Sequence, residues 1–187
     1  MLMNTSHLSG HILVAPPKML DRRFSNTVVY IASHTEVGAW GLVLNKTNNI
    51  NARDILLRVG VDLPLMGAVY HGGPMNSGSI HFLHTADLVS KDSHIGGTGM
   101  AVSGDMSYIS LMEQGLLPNH QRVFMGLCSW APGQLEAEIL GQHPWPSECS
   151  WLTAPATEDI IFGVEGMDQW HEAVNHCAKS TVKDWMC

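Results

Sequence analysis

Apolar positions along this chain come in short bursts, and their period changes as the chain proceeds. Residues 11–15 form a brief apolar run stopped by Pro16 and Pro17, which predicts a strand. Residues 26–33 and 40–45 are rich in Val, Ile, Leu and aromatics and predict two stronger strands. The short polar stretch between them contains Gly38, so the pair reads as a hairpin. At 51–59 the period becomes helical: Ile55, Leu56 and Val59 recur on one side, Asn51 suits an N-cap and Gly60 a stop. Residues 69–73 run into a glycine-proline turn, and 79–85 alternate like a half-buried strand. A short strand is expected at 99–102. A helix capped by Asp105 should run to Glu113, with Met106, Ile109 and Met112 inward. Residues 122–127 predict a central strand, turning through 128–131 into a helix that Pro132 opens and Gly141 ends. A last strand from Trp151, a helical turn at 157–162 and a helix over 167–178 complete the pattern.

An early hairpin followed by strands separated by helices argues for an α+β fold with a mixed sheet. The 187 residues suit a single domain over 1–187. A chain of that length buries enough surface to fold without a metal or a disulfide frame. No run approaches the roughly 20 apolar residues of a membrane span. The N-terminus lacks the basic and long apolar regions of a signal peptide, and the four cysteines form no C-x-x-C pair, so a cytoplasmic protein is expected. Ten basic against 17 acidic side chains give a net charge of −7, a poor balance for phosphate contacts. Neither direct nucleic-acid binding nor an anionic membrane surface is expected.

Candidate chemistry concentrates at the strand-turn-helix segment 124–138. A helix N-terminus exposes unpaired N–H groups. Trp130 stands beside it, Gly133 permits close approach, and Gln134 and Glu138 share one helix face. The same residues have a structural reading, in which Trp130 packs over the sheet and Gln134 caps backbone groups. Cys128 or Ser129 could stand as a nucleophile on an elbow, but Trp130 occupies the place of the second glycine of G-x-S-x-G, and no base is fixed beside them. Gly72, Gly73 and Pro74 read either as a loop wrapping a ligand or as a tight connection between strands. Asn45, at a strand end, reads as a binding group or as a cap.

The eleven histidines invite a metal, and their spacing argues against one. His81 and His84 fall on opposite strand faces, and His171 and His176 lie about 140° apart on a helix. No metal and no cofactor is expected. G-x-G-x-x-G is absent.

Taken together, several blocks resemble the bacterial YqgE/AlgH proteins. They are Gly10–Ala15 with Pro17, Phe24–Ile31 with His34, Gly38–Lys46, Gly72–Pro74, Leu83–His84, and Ser129–Ile139 with Trp145. Their order and spacing carry the resemblance. It implies a cytosolic α+β protein in which a bent, branching sheet forms a pseudo-barrel with flanking helices. It also implies a link to transcriptional regulation without evident DNA contact.

Two functional expectations follow. In the first, Asn45, Gly72, Gly73, Pro74, Trp130, Gln134 and Glu138 converge on one pocket of a non-catalytic binding or regulatory protein. Its partner would be a small anionic or amide-bearing ligand. In the second, a small hydrolase or transferase acts at the Cys128–Ser129 turn with His34, His71 or His84 as base.

Overall fold

The computed structural model describes residues 7–65, 67–142, 144 and 150–186. Trp145, Cys149 and Cys187 lie outside the described residues, as do residues 1–6.

The first three strands, β1 (His11–Val14), β2 (Val28–Thr35) and β3 (Gly38–Val43), form an antiparallel meander. Thr35 pairs with Gly38 across the expected hairpin. The polar strand β4 (Thr47–Asn51) follows, then helix α1 (Ala52–Arg58). The Asn51 side chain caps that helix by accepting from the Arg53 N–H at 2.9 Å. Strands β5 (Ala68–His71), β6 (Met75–Thr85), β7 (His94–Ile95) and β8 (Met100–Ser103) lead to α2 (Met106–Glu113). Asp105 caps α2 through the Tyr108 N–H, as its position in sequence suggested. Tyr108, Ile109 and Met112 face inward, whereas Met106, in the first turn, is exposed.

Strand β9 (Gln121–Trp130) is the spine of the molecule. The sheet has ten strands in the order β10-β1-β2-β3-β9-β6-β8-β7, where β10 is Leu152–Pro155, and β4 and β5 form a branch that joins β9. β6 lies antiparallel to β9 along most of its length. The parallel partner β5 meets Val123–Met125, and β3 meets Cys128–Trp130. The sheet therefore branches at Gly126, where β9 passes from one partner to the other.

That joint needs residues without side chains. A Cβ on Gly72 would lie 2.3 Å from the Gly126 carbonyl oxygen, and one on Gly73 2.2 Å from the Leu127 carbonyl carbon. Gly126 itself has φ +74°. The Gly72 carbonyl accepts from the Val43 N–H at 2.8 Å, which locks β3 to the branch.

β9 also corrects the expected end of its strand. Ala39, Trp40 and Gly41 pair with Trp130, Ser129 and Cys128, so the backbone stays extended through Trp130 rather than turning after Leu127. Pro132 is not the first residue of the helix. Pro132 and Gly133 make the turn, Gly133 is the cap at φ +74°, and α3 spans Gln134–Leu140. A π-helical turn (Asp159–Gly163) and α4 (Gly166–Met186) close the chain. The fold is α+β: a curled, branching mixed sheet with flanking helices. α4 lays Trp170, Ala173 and Cys177 on one side of the sheet, against Ile12, Val14, Val28 and Tyr30. α3 lays Leu135 and Ile139 on another, against Val29, Ile31, Val43 and Cys128. Each such buried aliphatic side chain contributes about 1.5–3 kcal/mol.

Candidate functional site

α3 is short, and one carboxylate ties it to the sheet. Glu138 is buried, with 8% of its surface exposed. Its Oε2 accepts from the indole N–H groups of Trp130 at 3.0 Å and Trp151 at 2.9 Å, and its Oε1 from Gln134 Nε2 at 2.9 Å. Gln134 Oε1 in turn accepts from the Ala131 N–H at 3.0 Å. Three donors on one carboxylate offset the cost of taking its charge out of water.

Above this network lies a pocket of about 410 Å³. Its floor and walls are Trp130, Gln134, Glu138, Trp151, Cys128 and Ser129, and Phe24, Pro74 and Met75 stand around them. Phe24 packs edge-on against Trp151 with ring centroids 5.6 Å apart. Met19, Leu20, Asp21 and Arg23 form the rim, where Arg23 and Asp21 pair through three hydrogen bonds. The size is that of a pocket for a small molecule.

Four of the seven expected site residues, Pro74, Trp130, Gln134 and Glu138, line this pocket together. Gly72 and Gly73 lie just behind it, in the joint with β9, as the tight connection rather than as lining. Asn45 is elsewhere. It is buried, accepts from the Val28 N–H at 3.0 Å and donates to the carbonyls of Asn26 at 2.8 Å and Gly166 at 3.2 Å. Its position at a strand end serves to tie β2 to the start of α4.

The described residues give the nucleophile reading little support, and His143 lies outside them. Cys128 sits in an extended strand, and burial pushes its thiol up to about 12. Its sulfur contacts the Gly72 carbonyl at 3.7 Å. Among the described hydrogen bonds none joins Cys128 or Ser129 to an imidazole. His34 is buried: Nδ1 accepts from the Leu8 N–H at 3.3 Å, and Nε2 lies 3.1 Å from the Glu136 carboxylate. His84 contacts the Thr85 carbonyl at 2.9 Å and the Ser103 hydroxyl at 2.8 Å, and His71 is exposed on β5. Among the described residues no three His, Cys, Asp or Glu side chains gather as a metal site, and no helix is long and apolar enough to cross a membrane.

A second pocket, of about 380 Å³, opens at the other end of β9. Its lining includes Tyr70, His120, Arg122, Phe162 and Glu165. The Arg122 guanidinium lies 4.8 Å from the Tyr70 ring centroid and 5.9 Å from that of Phe162. Its Nη2 donates to the carbonyls of Phe162 at 3.3 Å and Val164 at 3.1 Å and reaches Glu165 at 3.4 Å. Its Nη1 is buried and, among the described residues, has no hydrogen-bond partner.

Sequence reasoning missed Trp151, Phe24, Arg122, Tyr70 and Glu165. Only Arg122 carried a signal: an arginine in an otherwise apolar strand is seldom buried unless it has a task.

The AlgH-like family model matches residues 12–181. The UPF0301 proteins of Allorhizobium ampelinum and Rhizobium rhizogenes are each 32% identical, over 83% and 89% of this chain and 79% and 85% of their own lengths. The solution structure of the AlgH protein from Pseudomonas aeruginosa is similar to this fold at a TM-score of 0.73 and 28% identity, covering 94% of this chain and 92% of that one. An X-ray structure from Corynebacterium diphtheriae aligns at a TM-score of 0.69 and 25% identity, covering 88% of this chain and 84% of the other. The residues matched span β1 to α4, and the chain belongs to the AlgH-like family.

Proposed function

We propose that the protein is a non-catalytic binding domain, and that the pocket over Glu138 takes a small amide-bearing ligand. The observation that carries this reading is the hydrogen-bond inventory of the pocket floor. Among the described bonds, Glu138 Oε2 is filled by two indoles, while Oε1 holds a single donor. Gln134 Nε2 has two N–H groups and uses one of them on Glu138. Among the described residues one acceptor site and one donor thus remain side by side, which complements the N–H and C=O of an amide. The buried carboxylate favours this ligand over the anionic alternative, and the aromatic walls suit an apolar body attached to the amide. A regulatory role would follow from occupancy, since the ligand would rest on the network that holds α3 to the sheet.

Among the described residues no imidazole is hydrogen-bonded to Cys128 or Ser129, and burial raises the Cys128 thiol, so the hydrolase or transferase reading is the less supported of the two. A thermal-shift screen of neutral amides, acids and amines tests the binding reading. Amides should raise the melting temperature of the natural protein and lose that effect in Gln134→Ala. A screen in which only acids stabilise the protein, or in which Gln134→Ala responds unchanged, contradicts it.

A further inference from the structure

The pocket around Arg122 has the opposite character. Arg122 is a charged side chain more than nine-tenths buried, and it lines the cavity with a guanidinium whose Nη1 finds no partner. Two backbone carbonyls occupy Nη2, and among the described residues Glu165 is the one carboxylate that pairs with this buried cation. That carboxylate is poorly placed. It approaches Nη2 alone, at 3.4 Å, and its side chain is 67% exposed. Glu165 directly follows Val164, whose carbonyl is itself bound to Arg122. Its contact with the guanidinium is to Nη2, and among the described residues none reaches Nη1. Its better contact is the Tyr70 hydroxyl, which donates to it at 2.7 Å.

We propose that this cavity binds a small aryl carboxylate, which displaces the Glu165 side chain and takes its place on the Tyr70 hydroxyl, with its second oxygen on Nη1 of Arg122. A free carboxylate can reach that nitrogen, which the tethered one does not contact. The chemistry of the walls fixes the rest of the ligand. The Phe162 ring stacks on His120 with centroids 5.5 Å apart, Tyr70 faces the guanidinium, and Leu65, Ala52 and Val123 close the apolar side. A flat ring fits against such walls, and a cavity of about 380 Å³ has room for substituents beyond a single ring. Glu165 thus acts as a stand-in for the ligand. This inference does not rest on the reading of the Glu138 pocket, since the two share no lining residue.

The test is a titration of benzoate into the full ¹⁵N-labelled chain at constant ionic strength, followed by amide shifts, with benzamide as the uncharged isostere. Saturable benzoate shifts are expected at Tyr70, Arg122, Phe162 and Glu165, with no benzamide shifts there. Removing the competing charge in Glu165→Gln should tighten benzoate binding about tenfold, and Tyr70→Phe should weaken it several-fold. Both variants keep Arg122 and its carbonyl contacts, so they keep the fold. The proposal is overturned if benzoate moves none of these residues in either the natural chain or Glu165→Gln. It is also overturned if benzamide binds there equally well, or if Glu165→Gln leaves the affinity unchanged or lower. Benzoate shifts confined to Trp130 and Trp151 would overturn it too, and would at the same time count against an amide as the ligand of the other pocket.

Discussion

A buried charged side chain lies near each end of strand β9, Arg122 on the strand itself and Glu138 on α3, and the two are treated differently. At Glu138, which packs beneath Trp130, three N–H donors surround the carboxylate. At Arg122 the guanidinium is stacked on rings and bound to carbonyls, but among the described residues one nitrogen has no partner and the one paired carboxylate is exposed. A satisfied buried charge holds structure together. An unsatisfied one costs free energy that a ligand can recover. The first site is therefore a scaffold with a recess above it, and the second is a site held half-closed by the protein's own glutamate.

The largest effect should come from removing the joint that joins both ends. Gly126→Ala would place a Cβ 2.5 Å from the Gly73 carbonyl oxygen at a residue with φ +74°. A loss of about 4 kcal/mol, from a backbone clash together with left-handed strain, is expected in denaturant unfolding. Both pockets should lose their ligands together. Next, Glu138→Leu strips two indoles and Gln134 of their acceptor at one end only. It should cost about 3 kcal/mol and lower the melting temperature by about 6–12 °C. Benzoate binding at the Arg122 end should persist, whereas its loss would couple the two sites.

The pH dependence sharpens the same contrast. Burial lowers His81 and His84 from their ordinary value of 6.5. The unfolded chain then takes up their protons first, so stability falls as pH drops below about 6.5. Burial raises Cys128 and Cys177 from 9.0 to about 12, and Tyr30 and Tyr70 from 10.0 to about 12. Here the unfolded chain loses protons first, so stability is full below about pH 9 and declines from there towards 12. Melting temperature against pH should show a plateau between these limits. In Tyr70→Phe the decline above pH 10 should be shallower, which assigns part of it to the Arg122 end. The smallest effect is Gln134→Ala, about 1 kcal/mol from the lost Ala131 contact and one donor to Glu138.

Much of this contrast was hidden from the sequence, for definite reasons. Strands with dense β-branched and aromatic residues, such as β2 and β3, were legible, and so were the caps Asn51 and Asp105, whose side-chain chemistry acts locally. β4 was missed because Thr47–Asn51 is polar and is held extended by pairing with β5. The end of β9 was misread because Pro132 is a strong local signal, while its β3 partner lies about ninety positions earlier in the chain. α4 was expected to stop at Ala178, yet the helix runs to Met186. At the candidate site, the spacing of Gln134 and Glu138 correctly placed both on one face. Trp151 and Phe24 could not be found, because only the tertiary fold brings them to Glu138.

The central claim is that the recess over Glu138 receives an amide. The indole N–H resonances of Trp130 and Trp151 report on it directly, since both groups bond to the carboxylate in its floor. Titrating benzamide and related primary amides should move both resonances saturably, and Gln134→Ala should abolish the movement. If both indole signals stay fixed across the amide series, or move equally in Gln134→Ala, the account of this pocket is wrong.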